Sequence, residues 1–292
     1  MDNPFKGSGV ALVTPFNKDL SIDFNALKKL VRFQIDNKTD FLVVQGTTGE
    51  SPTLSFEEKI KVLEAVQEEN SGELKIIFGA GGNDSFAIGE TIKKIPSGVD
   101  GILSVSPYYN KPSQRGIVEH YKHLSSCTSL PIILYNVPGR TGSNLSSEST
   151  LELSKIDNIV AIKEASGNFQ QIMNIIQEKP MGFDVLSGDD AITMPLIALG
   201  AVGVISVVAN AFPNKFSQLV HNSINGKLEL AKKIHYELLP ITNMFFEEGN
   251  PGGVKVSLEV QGIIQSYMRK PLHEVSNDLS SRIAKETKNI LL

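Results

Sequence analysis

The chain has 292 residues, 41% of them hydrophobic and 21% charged, enough for one large core or two smaller ones. Its formal net charge of −4, from 28 basic and 32 acidic residues with no basic block, argues against a nucleic-acid partner. A single cysteine, Cys127, excludes an internal disulfide and a cysteine-built metal site within one chain, and fits a reducing, cytoplasmic compartment.

The first fifteen residues lack a basic segment followed by a long apolar core, so no secretory signal is expected. From there, short β-branched runs alternate with longer helical patterns. The first strand is expected over residues 8–13. A helix follows over 23–37, with Phe24, Leu27, Leu30, Val31 and Ile35 at helical spacing. The second strand covers 41–45 and the second helix 56–69, opened by Ser55 as N-cap with Glu57 and Glu58 in its first turn, where the helix dipole favours negative charge. Strands at 75–79 and 101–105 precede helices at 85–94 and 113–125. The fifth strand, 131–135, carries Pro131 at its first position, where a missing N–H is tolerated, and leads to a helix at 146–154. The sixth strand, 159–163, is apolar throughout until Lys163, as expected of a strand buried on both faces, and its helix covers 169–177. Then come a strand at 184–187, a helix at 191–199, a strand at 204–207 and a helix at 213–222 that starts with Pro213.

Residues 191–212 carry no charge and are long enough to span a bilayer. They also contain Pro195, Gly200, Gly203 and Asn210, and their second half is β-branched. A buried helix, a tight turn and a buried strand explain this pattern better than a membrane helix.

Eight β-then-α units predict an α/β fold with a parallel sheet, and eight is the number that closes into a (β/α)8 TIM barrel. An open doubly wound sheet usually has fewer units and a glycine-rich first turn, whereas here that turn reads Thr14-Pro15-Phe16. Beyond Asn225-Gly226 the strands stop and helices are expected over 228–246, 254–268 and 273–290. The expected organisation is a barrel with the active site over 1–225 and a C-terminal all-helical extension over 226–292.

In such a barrel, functional groups gather where strands end. After the second strand stands Gly46-Thr47-Thr48-Gly49-Glu50-Ser51, which reads equally well as a sharp turn whose free N–H groups bind an anion or as a polar loop capping a helix. After the fourth, Ser106-Pro107-Tyr108-Tyr109-Asn110-Lys111-Pro112 either displays phenols from a rigid loop or packs them away. The fifth ends in Tyr135-Asn136-Val137-Pro138-Gly139-Arg140-Thr141-Gly142. A phenol there can relay a proton, and an arginine past a Pro-Gly turn can hold a carboxylate in a bidentate fork. The seventh ends in Ser187-Gly188-Asp189-Asp190.

Lys163 ends the sixth strand. Strand-end lysines most often reach out to solvent, but an amine kept from water favours its neutral, nucleophilic form. His120, His123, His221, His235 and His273 fall in or after helices. His120 and His123, at i and i+3, are expected on exposed helix surface rather than on a metal. A lysine without a metal, facing an oxo-acid, points to Schiff-base chemistry on a carbonyl substrate, with neither metal nor cofactor required.

The motifs Gly46-Thr47-Thr48-Gly49-Glu50-Ser51, Tyr135-Asn136-Val137-Pro138-Gly139-Arg140-Thr141 and Ile162-Lys163-Glu164-Ala165-Ser166-Gly167 together resemble the dihydrodipicolinate synthase branch of the pyruvate-dependent class I aldolases. The resemblance covers essentially the whole chain. It implies an imine between Lys163 and pyruvate, with Thr47 and Thr48 holding the pyruvate carboxylate and Gly188 and Ile205 lining that site. Tyr135 would be the general acid/base, and the Thr47 hydroxyl and Tyr109 would complete a proton relay. Arg140 would hold the carboxylate of L-aspartate 4-semialdehyde. In the family, the equivalent of Tyr109 reaches in from a neighbouring subunit, which implies a tight dimer and, usually, a homotetramer built as a dimer of dimers. The implied reaction is condensation of pyruvate with L-aspartate 4-semialdehyde to 4-hydroxy-tetrahydrodipicolinate, in lysine and diaminopimelate biosynthesis.

The alternative weighed within the superfamily is a lyase acting on a keto-deoxy sugar acid or N-acetylneuraminate. Arg140 favours the synthase, because a short amino-acid aldehyde needs a fixed cation close by whereas a polyol tail needs neutral hydrogen bonds. A binding protein on the same scaffold would normally have lost the lysine or the phenol, and both are present.

Two departures from the family pattern stand out. Where lysine-inhibited members carry His and Glu side chains, this chain has Phe56, Lys59 and Ala87, while Ser51, Asn83 and Tyr108 remain. Weak or absent feedback inhibition by lysine is therefore expected. Asn250-Pro251-Gly252-Gly253 has Gly-Gly where relatives often have a second proline, leaving the entry of the following helix open.

Overall fold

The computed structural model describes residues 3–292. Its eight parallel strands are β1 (Gly7–Ala11), β2 (Phe41–Val44), β3 (Lys75–Gly79), β4 (Gly101–Val105), β5 (Ile132–Asn136), β6 (Ile159–Glu164), β7 (Asp184–Ser187) and β8 (Gly203–Ser206). They hydrogen-bond in sequence order, and β8 returns to β1, so the sheet closes as a barrel. Around it lie α1 (Phe24–Asp36), α2 (Phe56–Asn70), α3 (Ser85–Lys93), α4 (Gln114–Ser126), the single turn α5 (Pro138–Thr141), α6 (Ser147–Leu153), α7 (Phe169–Glu178), α8 (Thr193–Ala198) and α9 (Pro213–Ile224). Beyond the barrel come α10 (Leu228–Glu247), α11 (Gly252–Val260) and α12 (Asn277–Leu291).

The alternation of strand side chains makes two cores. Phe41, Val43, Ile77, Leu103, Ile133, Ala161, Leu186 and Ile205 point inward and fill the barrel. Their neighbours, among them Leu42, Val44, Phe78, Ile102, Leu134, Ile162 and Val185, point outward and meet the helices. This double burial is why the strands read as continuous apolar runs.

The helix starts follow the expected chemistry. Ser55 accepts from Glu58 N while the Glu58 carboxylate takes Ser55 N, a complete capping box. Ser113 and Ser146 cap α4 and α6 from one side only, their hydroxyls accepting from Gly116 N and Ser149 N. Residues 191–212 fold as a 3₁₀ turn running into α8, then a glycine turn and β8, and no helix among the described residues is long and apolar enough to cross a membrane.

Three expectations are corrected. The helix expected over 254–268 starts two residues earlier and stops at Val260. Gly262 takes a left-handed φ of 68° and donates to Glu259, ending it as a C-terminal glycine does. Residues 261–276 run on without a helix, although Ile263, Ile264 and Met268 are buried, and the last helix begins at Asn277 rather than 273. His120 is not on an exposed face: it is 3% exposed, with Nδ1 2.8 Å from Ser85 Oγ, and burial pulls its pKa down to about 4. It lies one step round the helix from Ile117, Tyr121 and Leu124, on the face of α4 that meets the barrel.

The Gly252-Gly253 pair starts α11 directly. A Cβ on Gly253 would stand 2.7 Å from the Cα of Phe245, so glycine lets α11 lie against the backbone of α10.

Candidate active site

The carboxyl ends of the strands open into a cavity of about 1180 Å³. Six of the eight residues singled out in the sequence line it: Lys163, Tyr135, Thr47, Thr48, Arg140 and Gly188. The register places Tyr135 beside Lys163 on neighbouring strands, and Lys163 Nζ lies 4.4 Å from the centroid of the Tyr135 ring. Both side chains are buried, at 5% and 7% exposure.

Lys163 points inward because the residues around it in β6 alternate, and the outward neighbours hold it there. Glu164, fully buried, accepts from Asn136 Nδ2 at 2.7 Å, Gln171 Nε2 at 2.8 Å and Ser166 N at 3.0 Å. Asn136, the outward neighbour of Tyr135, accepts from Leu145 N at 3.0 Å. The ends of β5 and β6 are thus fixed from behind, and the two groups facing the cavity share one rigid support.

Thr47–Gly49 forms a single 3₁₀ turn in which Gly49 N donates to Gly46 O at 3.0 Å. Thr47 and Thr48 come first in that turn, so their N–H groups have no acceptor within it. Thr14 Oγ donates to Gly49 O at 2.7 Å, and Thr48 Oγ accepts from Asn250 Nδ2 at 2.9 Å. Arg140 is exposed in α5 at the rim, without an ion-pair partner among the described residues. Asp189, at the end of β7, also lines the cavity, and burial raises its carboxyl pKa.

The structure does not bring Tyr109 and Ile205 into this cavity. Ile205 is 1% exposed inside the barrel. Tyr109 is 86% exposed and holds a left-handed φ of 73°, a conformation that a bulky residue rarely adopts.

Residues missed in the sequence also contribute. Thr242, Asn243, Phe246 and Glu247 of α10, and Asn250 after it, form one wall. Gln45, just past β2, lines the cavity at 4% exposure, and neither of its amide atoms has a partner among the described residues. Its position two residues beyond the inward Val43 was the available signal; nothing local marked Asn250.

Comparison with known proteins agrees with the geometry. Residues 4–290 match the dihydrodipicolinate synthetase family. A 4-hydroxy-tetrahydrodipicolinate synthase of Parabacteroides distasonis is 50% identical over 93% of this chain and 92% of that protein. One from Flavobacterium psychrophilum is 46% identical over 98% of each. Among solved structures, the dihydrodipicolinate synthase of Thermotoga maritima superposes with a TM-score of 0.96 at 37% identity over 99% of both chains. That of Aquifex aeolicus gives 0.94 at 41% identity, also over 99% of both. The chain belongs to the dihydrodipicolinate synthetase family.

Proposed function

We propose that this cavity condenses pyruvate with L-aspartate 4-semialdehyde to 4-hydroxy-tetrahydrodipicolinate through an imine on Lys163. The observation that carries the reading is the pairing of Lys163 Nζ with the Tyr135 ring at the base of a cavity rimmed by Arg140 and the Thr47–Thr48 turn. The names of the relatives give the same product.

The neutral amine of Lys163 adds to the pyruvate ketone, and the carbinolamine loses water to give an iminium. Thr47 and Thr48 hold the carboxylate through backbone N–H groups. The iminium draws electrons from the methyl group, which loses a proton by way of Tyr135 to form the enamine. The enamine carbon attacks the aldehyde, and the alkoxide takes a proton back. The amino group of the joined chain then attacks the iminium carbon, closes a six-membered ring and expels Lys163 as the free amine. Arg140 holds the semialdehyde carboxylate while this occurs, and Gly188 leaves room beside Lys163.

In this reading the barrel over 1–225 supplies the reacting groups, and the helical part over 226–292 closes one wall around them. Tyr109 serves the site of a neighbouring subunit in a homotetramer, consistent with its exposed, strained position. The workplace is the cytoplasm.

The test is intact mass after incubation with pyruvate and borohydride, wild type beside Lys163→Ala. A pyruvate adduct on wild type alone supports the imine and its residue. Consumption of L-aspartate 4-semialdehyde with pyruvate supports the synthase, whereas cleavage of a keto-deoxy sugar acid in its place would overturn it. No adduct on folded wild type would overturn the covalent mechanism.

A further inference from the structure

Behind the Thr47–Thr48 turn lies an ion pair that the mechanism does not use. Glu50 adopts φ 56° and ψ 31°, the left-handed region that favours glycine. Its carboxylate is fully buried, with Oε1 2.5 Å from Lys255 Nζ and Oε2 accepting from Arg269 N at 3.0 Å. Lys255 also donates to Tyr267 O at 2.8 Å, lies 4.5 Å from the centroid of the Phe16 ring and is itself fully buried. Two residues before Glu50, Thr48 Oγ accepts from Asn250 Nδ2 at 2.9 Å. Gly49 is therefore flanked by two residues of the turn, each held by a side chain more than two hundred positions later.

A buried ion pair is a poor way to gain stability, since well-packed apolar side chains of the same volume usually serve as well. Its strength is directional. Glycine would accept the backbone conformation at position 50 without strain, yet a glutamate is found there, and its carboxylate fixes that residue's rotation from a separate part of the chain. What is fixed is the shape of the turn that ends there, and with it the direction in which the Thr47 and Thr48 N–H groups point.

We propose that Lys255 and Asn250 are positioning residues for the turn that binds the carboxylate of the first substrate: Lys255 acts through Glu50, Asn250 through the Thr48 hydroxyl. The proposal rests on the reading of Thr47 and Thr48 as the pyruvate-carboxylate site. It makes the helical segment beyond the barrel a working part of that site, beyond enclosing it. Removing either tie lets the turn rotate and weakens pyruvate binding, while the second substrate, held by Arg140, is untouched.

The experiment measures the pyruvate concentration that half-saturates borohydride-trapped imine in wild type, Asn250→Ala, Lys255→Met, Thr48→Val and the double variant Asn250→Ala/Thr48→Val. KM for the semialdehyde and melting temperature are followed alongside. The expected result is a fivefold or greater rise in half-saturating pyruvate for Asn250→Ala and for Lys255→Met, with semialdehyde KM within about twofold of wild type. Asn250→Ala should add nothing in the Thr48→Val background, because the two side chains act through one hydrogen bond. Should Lys255→Met fail to fold, Asn250→Ala carries the test, since it removes a single hydrogen bond. An unchanged pyruvate half-saturation in folded Asn250→Ala, or additivity with Thr48→Val, overturns the proposal while leaving the imine intact. No imine on wild type overturns the reading beneath it instead.

Discussion

Asp40 Oδ2 accepts from Ser8 N at 2.7 Å and lies 2.8 Å from His221 Nε2, joining β1, the start of β2 and α9 through one carboxylate oxygen. The hydrogen bond to Asp40 is the main reason that the His221 pKa is raised above 6.5. A histidine whose folded pKa is raised stabilises the fold fully below its unfolded value and loses that contribution as pH rises through the folded one. Stability is therefore expected to fall from about pH 6.5 upward, through the raised pKa. His221→Gln should flatten this part of the profile, as read by melting temperature from pH 5.5 to 9. The side chain is partly exposed, so the effect is small.

A Cβ on Gly188 would stand 2.8 Å from the Cβ of Ala165 and 3.0 Å from Cε of Lys163. Gly188→Ala therefore forces the Lys163 side chain aside without touching the outer core. We expect imine trapping with pyruvate to drop by about tenfold or more, since misplacing a reacting group by an ångström costs on that order. Circular dichroism should show an unchanged fold. Wild-type trapping in this variant would show that Lys163 has room to spare.

Arg140 stands at the rim, away from the imine. Losing a charge-assisted bond to a substrate carboxylate is worth roughly 10- to 100-fold. Arg140→Ala should raise KM for L-aspartate 4-semialdehyde by about that factor. The pyruvate imine should form as in wild type, a split that steady-state kinetics and mass measurement resolve together.

Arg269 makes a bidentate contact with Glu58 at 2.7 and 2.8 Å and holds that carboxyl well below its usual range, at about 2. A depressed carboxyl pKa stabilises the fold above its unfolded value and loses the contribution as pH falls through the folded one. The pair should thus support the fold above about pH 4.5 and fade toward pH 2. After screening by water its worth is on the order of 1 kcal/mol. Arg269→Met should narrow the gap between acid and neutral melting temperatures.

Lys59 lines the outer part of the cavity with Ser51 and Tyr108, and burial lowers its pKa. Its side chain has no ion-pair partner among the described residues, and Ala87 is exposed on α3 without charge. Free lysine would bring its ammonium groups to a cation and find no counter-charge there. Inhibition at sub-millimolar lysine is not expected; an inhibition curve in that range would show that Ser51, Asn83 and Tyr108 suffice.

Most of the barrel could be read in the sequence because both faces of the strands are buried and six of its nine helices start on a capping side chain. β3, β4 and β7 match their expected limits to the residue. The overrun past Val260 has a physical cause. Ile263, Ile264 and Met268 are buried, and apolar spacing reports burial without fixing the backbone; Gly262 was the stop signal. His120 was misplaced although its spacing from Ile117 and Leu124 marked the buried face. That Lys163, Tyr135 and Thr48 face the cavity was legible because barrel strands end there. Asn250 was not, because what places it against Thr48 is the packing of distant helices, which no local pattern encodes.

That distance also sets an order of events during synthesis. Glu50 leaves the ribosome long before Lys255 and Arg269, which follow it by 205 and 219 residues. At about 5–20 residues per second, roughly ten to forty seconds pass in between. Throughout that interval the glutamate has no cation, and the turn beside it is held only by its own backbone and by Thr14. A nascent chain that has already closed all eight strands therefore still lacks both ties, and on the proposed reading about the last seventh of translation completes the first substrate's seat.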